Sequence, residues 1–193
     1  MSMYEKLPHY VYIKNERYSI HTDYRLFIEF EKEMQGNRVK ENIYKTLAIF
    51  YPAFYKIVND KELLEIAIEK FIWFYFCGKD KEEMKQQKKK SKKKQQERIY
   101  DYDYDDQLIW GAFFDRGVNL HKYLHWWDFR ALFLSLDDKC QFKKVMGYRA
   151  YDGKDKDMIE LRELHKLPPT QFEINEQKRH EEIFNQLNSI SQE

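Results

Sequence analysis

Between residues 10 and 21 apolar and polar side chains alternate on both sides of Asn15-Glu16, with Val11 and Ile13 before it and Tyr18 and Ile20 after. A period of two around a short polar interruption predicts a small β-hairpin with a tight turn. From there the apolar period lengthens to that of a helix. Thr22 or Asp23 is placed to cap a first helix with Leu26, Phe27, Phe30 and Met34 on one face, stopped by Gly36. A second helix runs from about Val39 to Pro52, with Ile43, Leu47 and Phe50 aligned. A third opens at Asp60 and reaches Gly78. Its second half, FIWFYFC at 71–77, is apolar all round, which marks a central buried helix.

The pattern then breaks. Residues 79–98 hold ten Lys or Arg against four Asp or Glu, with Met84 the sole large apolar residue. Such a run offers no face to a core and reads as a solvated basic tether. Helical spacing resumes after it. Asp103, Asp105 or Asp106 caps a fourth helix carrying Leu108, Ile109, Ala112 and Phe113, closed by Gly117. Asn119 is placed to cap a fifth, and Asp137 or Asp138 a sixth, with Lys143 and Lys144 in its last turn and Gly147 as its stop. A charged helix follows over about 155–166, up to Pro168-Pro169. Thr170 and Glu173 form a capping box that opens a final helix with Ile183, Phe184, Leu187 and Ile190 on one side.

These elements predict a mainly α protein, a helical bundle of about seven or eight helices with a small N-terminal β-hairpin. The chain divides into a hairpin-plus-helices part (1–78), the basic tether (79–98), a C-terminal helical part (99–169) and an amphipathic C-terminal helix (170–193).

The fifth helix, YLHWWDFRALFLSL at 123–136, carries more apolar surface than one neighbour can cover. On a helical wheel Trp126, Phe129, Phe133 and Leu136 form one stripe. Tyr123, Leu124, Trp127, Ala131 and Leu134 form a second, with Arg130 between them. A second stripe needs a second neighbour. Either this chain's own helices cover both, or the Trp127 side meets a partner, in which case Tyr123, Trp127, Arg130 and Leu134 are the candidate partner-binding residues.

Composition narrows the classes of function. Aromatics make up 17% of the 193 residues, which suits a packed globule. The net charge is only +1, yet the tether has an excess of six positive charges, so the rest of the chain is acidic at about −5. No stretch is apolar for long enough to span a bilayer, and the N-terminus lacks the pattern of a signal peptide, so the expectation is a soluble intracellular protein without membrane contact. Cys77 and Cys140 fit a reducing compartment and read as inert structural thiols. His121, His125 and Asp128 are spaced to share a helix face, but Lys122 follows the first histidine where a zinc-protease motif needs Glu, and spacing marks no fourth ligand. No metal site, cofactor or catalytic group follows, and phosphate-cradling or serine-elbow motifs are missing. Asp105-Asp106 and Asp137-Asp138 are better explained as caps than as acid–base pairs. The one candidate polyanion site is Lys88, Lys89, Lys90, Lys92, Lys93 and Lys94 of the tether, which would bind phosphates weakly and without sequence preference.

LHWWDFRALF together with FKKVMGYR at 142–149 resembles the gene-product-fifteen family of phages that infect Gram-positive bacteria. KLP at 6–8, TDYRLFIEFE, WFYFCGK, RIYDYDYDDQLIWGAFFDRGVNL and KLP at 166–168 follow in the family's order, so that the resemblance covers roughly residues 4–168. It implies a non-enzymatic phage tail assembly protein, similar in gene position and size to the chaperones that coat the tape-measure protein and recruit tail tube subunits. Its partners would then be the tape-measure and tail tube proteins, with self-association through apolar faces. It would act in the host cell cytoplasm during assembly and be missing from the mature virion. The alternatives are a structural tail or connector component, or a nucleic-acid-binding accessory protein that uses the tether lysines.

Overall fold

The computed structural model describes residues 6–35, 39–79 and 98–190, with side chains placed over 6–34, 42–79 and 98–183. The tether lysines Lys88 to Lys94 and the helix stop assigned to Gly36 lie outside the described residues. Among the described residues the protein is mainly α, with eight helices and one two-stranded antiparallel hairpin.

Strands β1 (Tyr10–Ile13) and β2 (Glu16–Ser19) pair with Ile13 opposite Glu16, so the turn is Lys14-Asn15, one residue earlier than the alternation placed it. Both turn residues have positive φ, 45° and 65°, the twist a two-residue hairpin needs. Val11, Ile13 and Tyr18 face inward, where β1 packs on helix α3 (Lys61–Tyr75).

Helix α1 (Tyr24–Gln35) begins after Asp23, whose carboxylate accepts the Arg25 backbone N–H. Phe27 and Phe30 are buried on it, whereas Met34 faces water. Helix α2 (Val39–Phe50) sets Leu47 and Phe50 fully inside and ends at Tyr51-Pro52, followed by a short 3-10 turn over Phe54–Lys56. Asp60 caps α3 by accepting from the N–H groups of Glu62 and Leu63. The far end of α3 closes with Cys77 in the left-handed region: the Gly78 N–H returns to the Trp73 carbonyl and the Cys77 N–H to that of Phe74.

Helix α4 (Asp106–Phe114) follows Asp105, but Asp105 is no side-chain cap. Its carboxylate is buried and forms a two-pronged ion pair with Arg149, at 2.6 and 2.9 Å, while also accepting from the Asp101 N–H. Helix α5 (Trp126–Leu134) starts six residues later than a cap at Asn119 implies, because residues 119–125 form a turn and an extended stretch. Here His125 is the cap, accepting the Trp127 N–H at 3.1 Å, and Asp23 and His125 form an isolated antiparallel β-bridge. Helix α6 (Gln141–Arg149) likewise starts later than Asp137 or Asp138, and Gly147 lies inside it. Asp137 instead accepts from the Lys139 N–H in the preceding turn. Helix α7 (Lys156–Leu164) is capped by Asp155. Helix α8 (Gln171–Ile190) opens on the expected capping box: the Thr170 N–H donates to Glu173 Oε2 at 2.5 Å and the Glu173 N–H to Thr170 Oγ1 at 3.2 Å.

Phe27 sits at the centre of the core, ringed by Phe50, Phe71, Phe74, Tyr75 and Trp126 at centroid distances of 4.9–6.5 Å. This cluster continues through Phe129 into Tyr24, Phe113 and Phe133. One core therefore spans elements from before and after the lysine-rich stretch.

Candidate functional site: an aromatic, acid-rimmed groove

The double tryptophan has a structural job inside this chain. The last carbonyls of a helix lack intrahelical donors. Trp126 donates its indole N–H to the Tyr75 carbonyl at 2.9 Å, and Trp127 donates to the Phe74 carbonyl at 2.7 Å. Adjacent tryptophans at the start of α5 thus bond successive carbonyls at the end of α3. Trp127 also packs edge-on to Trp73, 5.5 Å between centroids, and covers Gly78, where an added Cβ would lie 3.1 Å from its ring.

Of the four residues expected on a partner face, Trp127 is therefore buried against the chain's own α3, which also receives Trp126, while Ala131 and Leu134 of the same stripe stay exposed. Arg130 is half-buried, pairs with Glu31 at 3.1 Å and lies over the Trp126 ring. Tyr123 and Leu134 face water, at 56% and 68% exposure, although Tyr123 precedes the helix and bonds Thr22 through its hydroxyl at 2.7 Å. The wheel misplaced Tyr123 and Leu124 because residues 123–125 are not helical.

The histidines part in the same way. His125 Nδ1 accepts a backbone N–H, so its Nε2 carries the proton and donates to the Pro8 carbonyl at 3.1 Å. Burial holds this imidazole below its ordinary value. His121 lies out in the preceding turn. Among the described residues no group of three or more His, Cys, Asp or Glu is placed to hold a metal. Burial pushes the Cys77 thiol up to about 11, so it is protonated at neutral pH and a poor nucleophile.

What the structure brings together instead is a groove of about 500 Å³ between α1, α4 and α5. Tyr24, Tyr102, Ile109 and Phe129 form its floor; Tyr24 stacks on Phe129 at 4.6 Å and donates its hydroxyl to the Leu120 carbonyl at 2.7 Å. Its outer lip is Trp110, stacked on Phe114 one turn along α4 at 4.8 Å and 16° between planes. Both rings are exposed, Phe114 to 58%. Glu29, Asp103 and Asp106 line the rim with Lys32, whose ammonium bonds Glu29 at 2.9 Å and Asp103 at 2.8 Å. Burial disfavours the Lys32 charge, but the two carboxylates outweigh it and raise its pKa.

Sequence reasoning missed this site. The fourth helix was oriented by Leu108, Ile109, Ala112 and Phe113, which left Trp110 and Phe114 at i, i+4 on the opposite side. That leftover pair was the available signal. A second cleft of about 550 Å³ at the base of α8 is lined by Arg98, Arg149, Arg162 and Lys166. Its arginines are already engaged: Arg98 by Asp101 and the Pro168 carbonyl, Arg149 by Asp105, Arg162 by Glu163 and the Tyr151 carbonyl.

Fold and groove together define a helical protein that presents an apolar recess with an acidic rim. Residues 3–169 match the family model described as Bacteriophage Gp15 protein, and the chain belongs to that family. No curated protein and no solved structure matches the chain. Among the described residues no helix is long and apolar enough to cross a membrane.

Proposed function

We propose that this phage protein is a non-catalytic tail assembly chaperone that holds a helical segment of the tape-measure protein in the α1–α4–α5 groove and promotes tail tube assembly. The observation that carries the reading is the exposed Trp110–Phe114 stack at the lip of an apolar recess, in a chain of the Bacteriophage Gp15 family. Aromatic anchors beside a hydrophobic groove are the means by which proteins shield the apolar face of an amphipathic helix. Family membership supports a structural or assembly role in a phage, and the groove supports assembly through a transient helical partner.

Co-expression with the tape-measure protein of the same phage tests this. The chaperone reading expects co-purification and a gain in tape-measure solubility, both lost in the Trp110→Ala/Phe114→Ala variant. Mass spectrometry of purified particles should find the protein missing from mature virions. Its presence at the stoichiometry of a tail component would make it a structural part of the virion instead.

A further inference from the structure

We infer that the groove selects a cationic helix: an amphipathic segment whose apolar face lies on Trp110 and Phe114 and whose Lys or Arg flank meets Glu29, Asp103 and Asp106. The inference rests on the groove being an interaction site, but not on the identity of the tape-measure protein as its occupant.

Charge complementarity carries it. Three carboxylates line the groove against one lysine and one imidazole, that of His121, and the lysine already bridges Glu29 and Asp103. Glu29 and Asp103 keep 68% and 73% of their side-chain surface in water, so each has acceptor capacity left for an incoming ammonium or guanidinium. Asp106 is exposed in the first turn of α4, on the same side as Trp110 one turn later. The lip adds to the preference, because the face of an indole attracts cations. An acidic helix would instead bring carboxylates against carboxylates, with no unengaged lysine in the lining to receive them. A helix is about 10 Å across, so a recess of this size receives two or three of its side chains and leaves its flanks on the rim.

The test uses the full chain and two labelled peptides of about 20 residues with the same Leu/Ala face, one flanked by Lys and one by Glu, read by fluorescence anisotropy at pH 7.5. The Lys peptide should bind about tenfold more tightly at about 50 mM salt, and the two should converge at about 1 M, where screening shortens the reach of charge to about 3 Å. Asp103→Asn with Asp106→Asn should remove most of the preference. Trp110→Ala with Phe114→Ala should weaken both peptides at least about tenfold. Should the aromatic double variant fail to fold, the two exposed Asp→Asn changes still decide the matter. Binding of neither peptide, equal binding at low salt, or a preference that survives the Asp→Asn changes would overturn the inference. A dimer that dissociates in the aromatic variant would give the groove to a second copy and would also overturn it. If the Lys peptide binds but the tape-measure protein is neither held nor solubilised, the chaperone reading fails and the charge selection stands. The reverse result would sink the charge selection alone.

Discussion

Single residues show how a polar atom can decide an apolar side chain's place. Trp127 carries a large ring and an N–H that needs an acceptor when buried, and the Phe74 carbonyl supplies it. Trp127→Ala leaves a void beside Trp73 and Gly78 and removes the indole N–H from a Phe74 carbonyl that keeps the Cys77 N–H, so it should cost about 3–5 kcal/mol in urea unfolding, mostly through the void. Loss of the folded state is thus the expected result, and unchanged stability would place this ring outside the core. His125 predicts a pH response. Its folded-state pKa is depressed by burial, so the unfolded chain takes up the proton first as pH falls. Stability contributed by the neutral ring is complete above about 6.5 and declines below it. The urea midpoint should fall between about pH 7.5 and 5.5, and His125→Asn should lower the midpoint but flatten that slope.

Among the elements, the ends were harder to place than the bodies. Aspartates are good caps in general, and Asp60 and Asp155 do cap α3 and α7. Asp105 does not, because Arg149 arrives from α6 and takes both oxygens, a contact between residues 44 apart that local spacing does not record. His125 caps α5 although histidine is a poor cap by propensity, since the Pro8 carbonyl holds its ring in the required tautomer. Helix α8 is the opposite case, legible because its capping box is local. Its described side chains are mostly exposed, and the family match ends at residue 169. Removing residues 170–193 should therefore cost less than about 1 kcal/mol, checked by the thermal midpoint of the shortened chain. A larger loss would mean that α8 supports the fold through the Glu173 carboxylate, 4.0 Å from the Arg98 guanidinium.

At the scale of the whole molecule, Glu31 joins the two sides of the lysine-rich stretch. Its buried carboxylate accepts from the Tyr75 hydroxyl at 2.8 Å, the Tyr102 hydroxyl at 2.6 Å and Arg130 at 3.1 Å. Tyr75 lies before residues 79–98, and Tyr102 and Arg130 lie after them. Burial holds both phenols well above the ordinary range, so they remain donors. Glu31→Gln keeps the size but removes the charge that Arg130 and the phenols need, and should cost about 1–3 kcal/mol given the partial exposure of Arg130. With one aromatic core running through both parts, circular dichroism and tryptophan fluorescence should report a single shared urea midpoint. Separate midpoints would show that the two parts fold independently.

The chain's periodicity by itself determined the hairpin, most of the helices and the apolar identity of Phe27, Phe50, Phe71, Phe74 and Trp126, because those signals come from residues a few positions apart. The spaced strings from KLP to FKKVMGYR also pointed to the phage family. Only the tertiary structure decided which apolar residues meet each other and which are left in water. The wheel of α5 asked for a neighbour over a whole second stripe, whereas the end of α3 covers only its Trp127 and leaves Ala131 and Leu134 in water. Trp110 and Phe114 are as apolar as Trp126 and Phe129, yet α4 turns them outward, since Ile109, Ala112 and Phe113 fill the side that packs inward. Burial belongs to long-range contacts, and these a sequence pattern does not carry.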